Sequence, residues 1–289
     1  MLKIGLSSCS KPLTEKLFKE YAEAGISCME ISVGMEEADQ LDWPSLFAWS
    51  QKYGVELWSF HLPFCPFNVM DISSPDEELR QRSVAKCADY MIKIADFGVN
   101  VFVIHPSGEP IDEEKRPEYM AQAQKSLKEL ADVADKCMVT LAVEDLPRTC
   151  LGRNSSDMLE LVSADDRLGI CFDTNHLLGE NIVDFISKVG HKMVTTHISD
   201  YDFVNERHWL PGEGDIDWTS LYNALTAVGY TGPWLYELGF NAPKSIKRHR
   251  NLTCKDFADN AKDIFAGNKP ETIGNRYKKI NFWGEPEEE

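Results

Sequence analysis

Eight cysteines are present, yet none forms a C-x-x-C pair or a tight cluster. Cys28 and Cys171 fall in apolar strand-like runs and Cys87 on the apolar face of a helical pattern. Reduced, buried thiols fit this better than a disulfide framework or a zinc–thiolate site. No apolar stretch approaches the ~18–20 residues of a bilayer-spanning helix, so no membrane segment is expected. The opening MLKIGLSSCSKPL has only a short apolar run and reads as a first strand, not a signal peptide; a cytoplasmic protein is the expectation. Neither G-x-G-x-x-G nor G-x-x-x-x-G-K-[ST] follows a strand candidate, which argues against a nucleotide-binding open sheet. Positive charge is also scarce: 30 Lys and Arg face 47 Asp and Glu, for a net charge of −17. Such a body repels phosphate backbones and gains nothing from counterion release, which argues against a nucleic-acid partner.

What is abundant is a recurring unit of helical pattern, glycine and short apolar run. It occurs at AEAG-ISCMEI (Gly25), QKYG-VELWSF (Gly54), ADFG-VNVFVI (Gly98), SKVG-HKMVTT (Gly190) and AVGYTG-PWLYEL (Gly229). Glycine just past a helix supplies a left-handed cap, and a strand follows at once. Strand candidates cover residues 3–7, 27–33, 55–61, 99–105, 139–144, 168–173, 193–198 and 234–238. Their spacing leaves room for a returning helix each time, so the sheet is expected to be parallel. Eight such units in 289 residues predict an α/β protein, a single-domain (β/α)8 TIM barrel. The barrel is assigned to residues 1–267 and a polar C-terminal tail to 268–289, its Tyr277, Phe282 and Trp283 available for docking and its acidic end mobile. The clearest helix spans Pro75–Phe97, with Ser74 as N-cap and Glu77 completing a capping box.

Six strand candidates end on a metal-competent side chain: His61, His105, Glu144, Asp173, His197 and Glu237. A parallel barrel gathers its carboxyl-terminal strand ends around one point, which predicts a single polar site. Glu144, Asp173, His197 and Glu237 form a mostly oxygen donor set suited to Mn²⁺, with Zn²⁺, Co²⁺ and Mg²⁺ also compatible. Capping or ion pairing would explain one such residue, but four gathered carboxylates and imidazoles without a cation would repel. His176, in DTNH, returns to the same rim, and Glu206 and His208 lie in the loop NERHWLPGEGDIDW. His191 and His249 read as surface residues. The cations Lys244, Lys247, Arg248 and Arg250 suggest either a phosphate subsite after the last strand or a solvated face. Arg148 and Arg153 are further candidate substrate contacts, and Phe64 and Phe67 candidate pocket walls.

The segments AVED, CFDTNH, THISD with RHWLPGEG, and YELGF, in that order on eight β/α units, resemble the xylose-isomerase-like barrel superfamily. Its sugar isomerases and epimerases include ketose 3-epimerases, hydroxypyruvate isomerase and inosose dehydratase; endonuclease IV shares the scaffold. The resemblance covers residues 1 to about 266 and is specific for the superfamily more than for a substrate. It implies one divalent metal on Glu144, Asp173, His197 and Glu237, with Glu144 and Glu237 also serving as the acid/base pair. His176 and His208 then contact substrate, with His61 and His105 beside them.

The expectation is an enzyme: a metal-dependent sugar isomerase or epimerase that moves a proton on a small ketose or sugar phosphate through an enediolate. A carbohydrate is its expected partner, and the resemblance suggests a homodimer or homotetramer. An endonuclease IV-like phosphodiesterase is the alternative. It would use three zinc ions, with His61, His105, His176, Glu206 and His208 as additional ligands; Glu206 stands where that family has Asp. A dehydratase-like lyase and a non-catalytic sugar-binding barrel complete the alternatives.

Overall fold

The computed structural model describes residues 1–9 and 11–287. Eight strands make one parallel sheet: β1 (Ile4–Ser7), β2 (Cys28–Ser32), β3 (Glu56–His61), β4 (Val101–Ile104), β5 (Thr140–Glu144), β6 (Gly169–Asp173), β7 (Met193–His197) and β8 (Trp234–Tyr236). Their order is β7-β6-β5-β4-β3-β2-β1-β8. A bridge from Ile198 to Tyr236 brings the two ends together, with the Ile198 amide donating to Leu235 O at 2.8 Å. The fold is the expected single-domain (β/α)8 barrel.

Nine helices are described: α1 (Glu15–Ala24), α2 (Met35–Ala38), α3 (Trp43–Tyr53), α4 (Glu77–Ile94), α5 (Arg116–Cys137), α6 (Ser155–Val162), α7 (Ile182–Val189), α8 (Trp218–Ala227) and α9 (Cys254–Phe265). Strand alternation divides the core into two layers. Phe102, Leu141, Val143, Ile170 and Phe172 pack outward among the helices. Val101, Val103, Ala142 and Cys171 alternate with them and form a separate inner cluster with Trp58 and Val194.

Two irregularities shape the interior. Met29 pairs with Leu57 but Glu30 pairs with Ser59, leaving Trp58 as an extra residue. Likewise Ile170 pairs with Met193 and Cys171 with Thr195, so Val194 is extra. Such bulges re-aim the side chains that follow. The Trp58 indole donates across the barrel to Thr195 Oγ1 at 3.1 Å, bracing β3 against β7.

Two local expectations need correction. Helix α4 begins at Glu77, and Asp76 caps it by accepting from the Glu78 and Leu79 amides. Ser74 instead accepts from the Asp76 amide at 3.1 Å, because Asp76 sits nearer the open first turn and offers a charged acceptor. Gly25, Gly54, Gly98 and Gly229 have the left-handed backbone expected of caps, whereas Gly190 does not. A Cβ on Gly190 would meet Val228 Cγ2 at 2.6 Å, so close packing requires glycine there.

The segments after β3, β4 and β7 form the rim at the carboxyl ends. The last is organised by buried Asp200, which accepts from the amides of Gly212 (2.7 Å), Gly214 (3.0 Å) and Ile216 (3.2 Å) and from the Trp218 indole (2.9 Å). Beyond α9, β10 (Gly274–Arg276) pairs antiparallel with β9 (Ile246–Arg248). Phe282 O accepts from Arg207 at 2.8 Å. The tail therefore holds on through its backbone and through Arg276, which pairs with Asp215 at 2.8 Å, while the side chains of Tyr277, Phe282 and Trp283 are exposed. Of the acidic end GEPEEE, expected to be mobile, residues 284–287 are tied down, with the Glu287 amide donating to Lys279 O at 3.2 Å and Glu285 pairing with Lys244 at 2.8 Å; residues 288–289 lie outside the described residues.

Candidate active site

The inner-face alternation that buries Ala142 and Cys171 carries on to Glu144 and Asp173, which therefore point into the barrel mouth. His61 ends β3, His197 ends β7, and His105 and Glu237 directly follow β4 and β8. One carboxylate and one imidazole knit the floor together. Glu144 Oε1 lies 3.0 Å from His197 Nδ1, and its Oε2 lies 3.1 Å from His61 Nε2 and 3.2 Å from His105 Nε2. His197 Nδ1 is also 3.3 Å from Glu237 Oε2 and 4.0 Å from Asp173 Oδ2.

Donor atoms of Glu144, Asp173, His197 and Glu237 all lie within 4.8 Å of one another, as do those of His61, His105 and Glu144. Among the described residues, buried Asp173 Oδ2 has no hydrogen-bond partner. An orphaned carboxylate oxygen facing two more carboxylates and an imidazole is what a divalent cation would satisfy, so the residues fit the expected metal.

Above this floor opens a cavity of about 500 Å³, lined by His61, His105, Glu144 and Glu237 and by His176, Glu206 and His208. That volume is in the range of small-molecule sites. Phe64 and Phe67 also line it, and Phe64 stacks on the His105 ring at 3.9 Å. Eight of the nine sequence-derived site residues thus line the cavity or contact those that do through short polar distances, and Asp173 completes the floor beneath them. His191 and His249 are exposed, as expected.

Charge is distributed unevenly over this ring. Burial alone would lower the His61 imidazole, but contact with Glu144, and the nearby Glu30 and Glu237, lift it to about 9. His197 is raised well above the ordinary histidine value against the same burial penalty, by Cys171 and the surrounding carboxylates. Burial lowers His105. Glu144 is held well below the usual carboxylate range despite burial, chiefly by His197 and His105. Burial and the neighbouring charges of Glu144, Asp173 and Glu30 instead lift Glu237 to about 7, against the pull of His197.

His176 is engaged on both sides. Its Nδ1 donates to Asp145 O at 2.7 Å, and its Nε2 lies 2.8 Å from Glu206 Oε1. Since both partners only accept, both ring nitrogens carry hydrogen in this arrangement. Glu206 in turn binds Arg148 at 2.6 Å, and Arg148 also grips Glu109 at 2.6 and 3.0 Å. Arg148 and His208 both adopt left-handed backbone, at φ 55° and 50°, a conformation that costs non-glycine residues energy and clusters at functional sites.

Several sequence candidates lie elsewhere. Arg153 pairs with Glu113, Lys244 with Glu285 (2.8 Å), Arg248 with Glu213 (2.8 Å) and Arg250 with Asp256 (2.6 Å). None of them, nor Lys247, is among the residues that line the cavity. Two site residues carried no strand-end signal. Asp145 Oδ1 accepts from the Asp173 amide at 2.7 Å. Fully buried Glu30 lies 3.0 Å from His197 Nε2; its only mark in the sequence is a carboxylate inside the apolar run ISCMEI.

Residues 18–253 match the family described as the xylose isomerase-like TIM barrel. The chain belongs to that family. The chain is similar to an uncharacterized protein of Methanocaldococcus jannaschii, 26% identical over 193 residues, covering 63% of this chain and 64% of that one. D-psicose 3-epimerase of Enterocloster bolteae is 24% identical over 186 residues, covering 60% and 59%. A probable endonuclease 4 of Chloroflexus aurantiacus is 32% identical over 114 residues, covering 38% and 39%. Each match thus spans less than two thirds of the relative's own length. Among solved structures, a D-tagatose 3-epimerase-like protein superposes with a TM-score of 0.76 at 23% identity, covering 92% of this chain and 96% of that one. An L-ribulose 3-epimerase gives 0.74 at 19%, covering 92% and 94%. At such identities the likeness is one of fold.

Proposed function

We propose that this family member is a divalent-metal-dependent isomerase or epimerase that transfers a proton on a small, neutral ketose or polyol-derived ketone. The observation that carries the reading is the convergence of Glu144, Asp173, His197 and Glu237 on one point at the floor of a sugar-sized cavity. A cation held by these four side chains would supply the positive charge that makes a hydrogen α to a carbonyl acidic enough to leave. Glu237 is the candidate for moving that proton, because it lines the cavity beside the cluster and so reaches both the cation and a bound substrate. Glu144, pinned by three imidazoles, is the second carboxylate and the candidate partner for returning the proton. His208, which lines the cavity, would hold a substrate hydroxyl, while His176, with both nitrogens engaged, would orient Glu206. The epimerases among the structural neighbours and the D-psicose 3-epimerase relative support the same class.

A neutral sugar is favoured over a sugar phosphate because of the cations. Arg148, the one lysine or arginine among the cavity-lining residues, is already shared by Glu109 and Glu206. The basic residues after β8 are paired elsewhere or lie off the cavity. Incubating the Mn²⁺-loaded protein with a panel of ketoses in deuterated water should place deuterium on a carbon α to the carbonyl. Glu144→Gln and Glu237→Gln should each lower exchange by about 10²–10⁴-fold with the fold intact. Absence of exchange with every ketose despite bound metal would refute the reading, as would full activity in either variant.

The second reading, a three-zinc phosphodiesterase, draws on the clustering of His61, His105 and Glu144 and on the endonuclease 4 relative. It requires His176 and Glu206 as further ligands, and here Glu206 is already shared between His176 and Arg148. About three zinc ions per chain together with nicking of abasic DNA would favour it over the sugar reading.

A further inference from the structure

Glu30 is fully buried near the middle of the barrel, facing inward between the outward-packed Met29 and Ile31, and the β3 bulge at Trp58 sets Ser59 opposite it. Its Oε2 lies 3.0 Å from His197 Nε2 and accepts from Ser59 Oγ at 2.8 Å. Its Oε1 has no partner among the described residues. A buried carboxylate with one bare oxygen is a poor device for stability, since apolar replacements of buried charges often fold as well or better. Its presence calls for an effect on the group it touches.

That effect follows from imidazole chemistry. A carboxylate only accepts, so it demands a hydrogen on Nε2; a neutral ring has one hydrogen, and Nδ1 is then left with its lone pair. Nδ1 is the nitrogen that faces Glu144, Glu237 and Asp173. Without an acceptor at Nε2 the ring could turn over and present a carbon to the cluster, or place its hydrogen on Nδ1. We infer that Glu30 is a positioning residue for the metal cluster: it locks the ring orientation and tautomer of His197 so that Nδ1 is offered as a donor. Ser59 steadies the carboxylate, and the bulge on β3 supplies the register that sets Ser59 opposite Glu30.

The inference rests on the metal-binding reading above, and its test does not depend on turnover. Mn²⁺ dissociation constants are measured from the free-ion EPR signal for the wild type, Glu30→Met and Glu30→Gln, with melting curves to establish folding. Outer partners of metal-bound histidines are typically worth 10–100-fold in affinity. Glu30→Met should weaken binding by about that factor, whereas Glu30→Gln, whose amide oxygen still accepts from Nε2, should recover most of the loss. With Zn²⁺ bound, ¹⁵N spectra of His197 should show hydrogen on Nε2 in the wild type and Glu30→Gln, and lose that single pattern in Glu30→Met. If Glu30→Met does not fold, the double variant Glu30→Met/Ser59→Ala, which strands no hydroxyl, takes its place. Wild-type affinity and an unchanged His197 spectrum in the Met variant overturn the inference alone. A wild-type protein that takes up neither Mn²⁺ nor Zn²⁺ overturns the metal reading with it.

Discussion

Adding Mn²⁺ to the metal-free protein should expel protons, and their number follows from the hydrogen bonds of the cluster. His197 lies 3.0 Å from Glu144 through Nδ1 and 3.0 Å from Glu30 through Nε2. Both partners are acceptors, so both nitrogens carry hydrogen, and binding at Nδ1 must release one. Glu237 is lifted to about 7, first by burial and then by the charges of Glu144, Asp173 and Glu30, so it too is protonated below neutrality. At about pH 6, loading therefore displaces at least two protons per ion, and at about pH 8 one fewer. Protons compete with the cation, so Kd falls as pH rises. The slope is about 100-fold per pH unit below 7 and about tenfold above it, one power of ten per proton. Titration calorimetry in buffers of different ionisation enthalpy counts the protons directly, and repeating it across pH gives the slope. Fewer than about half a proton released at pH 6, or a Kd indifferent to pH, would show that these side chains are not the ligands.

The metal-free protein should lose thermal stability between about pH 6.5 and 9. His61 rises from 6.5 to about 9 on folding, so its contribution is complete below the unfolded value and vanishes as pH climbs through the folded one. At 1.36 kcal/mol per unit this is at most about 3 kcal/mol. Glu237, raised from 4.5 to about 7, acts in the same direction at lower pH, and a melting temperature that increased over the interval would contradict the charge assignment. Gly214→Ala should disturb substrate more than metal. A Cβ there would meet Asp200 Oδ1 at 2.1 Å and Tyr201 O at 2.5 Å, displacing the loop that carries Glu206 and His208 while leaving the strand-end cluster in place. An elevated KM with Mn²⁺ affinity within about twofold is expected; an unaltered KM would separate that loop from substrate binding.

Much of the barrel was legible because its signals are local. Glycine caps at Gly25, Gly54 and Gly98, short apolar runs and helix-length spacings are set by neighbours a few residues away, and each recurs. Where signals compete over a residue or two, local reading slipped. Ser74 and Asp76 both suit an N-cap, and only the path of the chain puts Asp76 at the open turn. Gly190 looks like a cap, but its reason lies across the structure in Val228. The four cations after the last strand look alike in one dimension, yet Glu213, Glu285 and Asp256 claim three of them.

The sequence alone determined the parallel β/α alternation and the strand ends that carry ligand-type side chains, because period and strand register are properties of short segments. Tertiary structure decided which of those side chains share a hydrogen bond. It tied Glu144 to three imidazoles, engaged both nitrogens of His176, drew Arg148 between Glu109 and Glu206, and brought Glu30 from β2 to the far side of His197, 167 positions along the chain. Such pairings depend on barrel closure and on two bulges, where a single extra residue turns a side chain from one face to the other. No local pattern encodes that geometry.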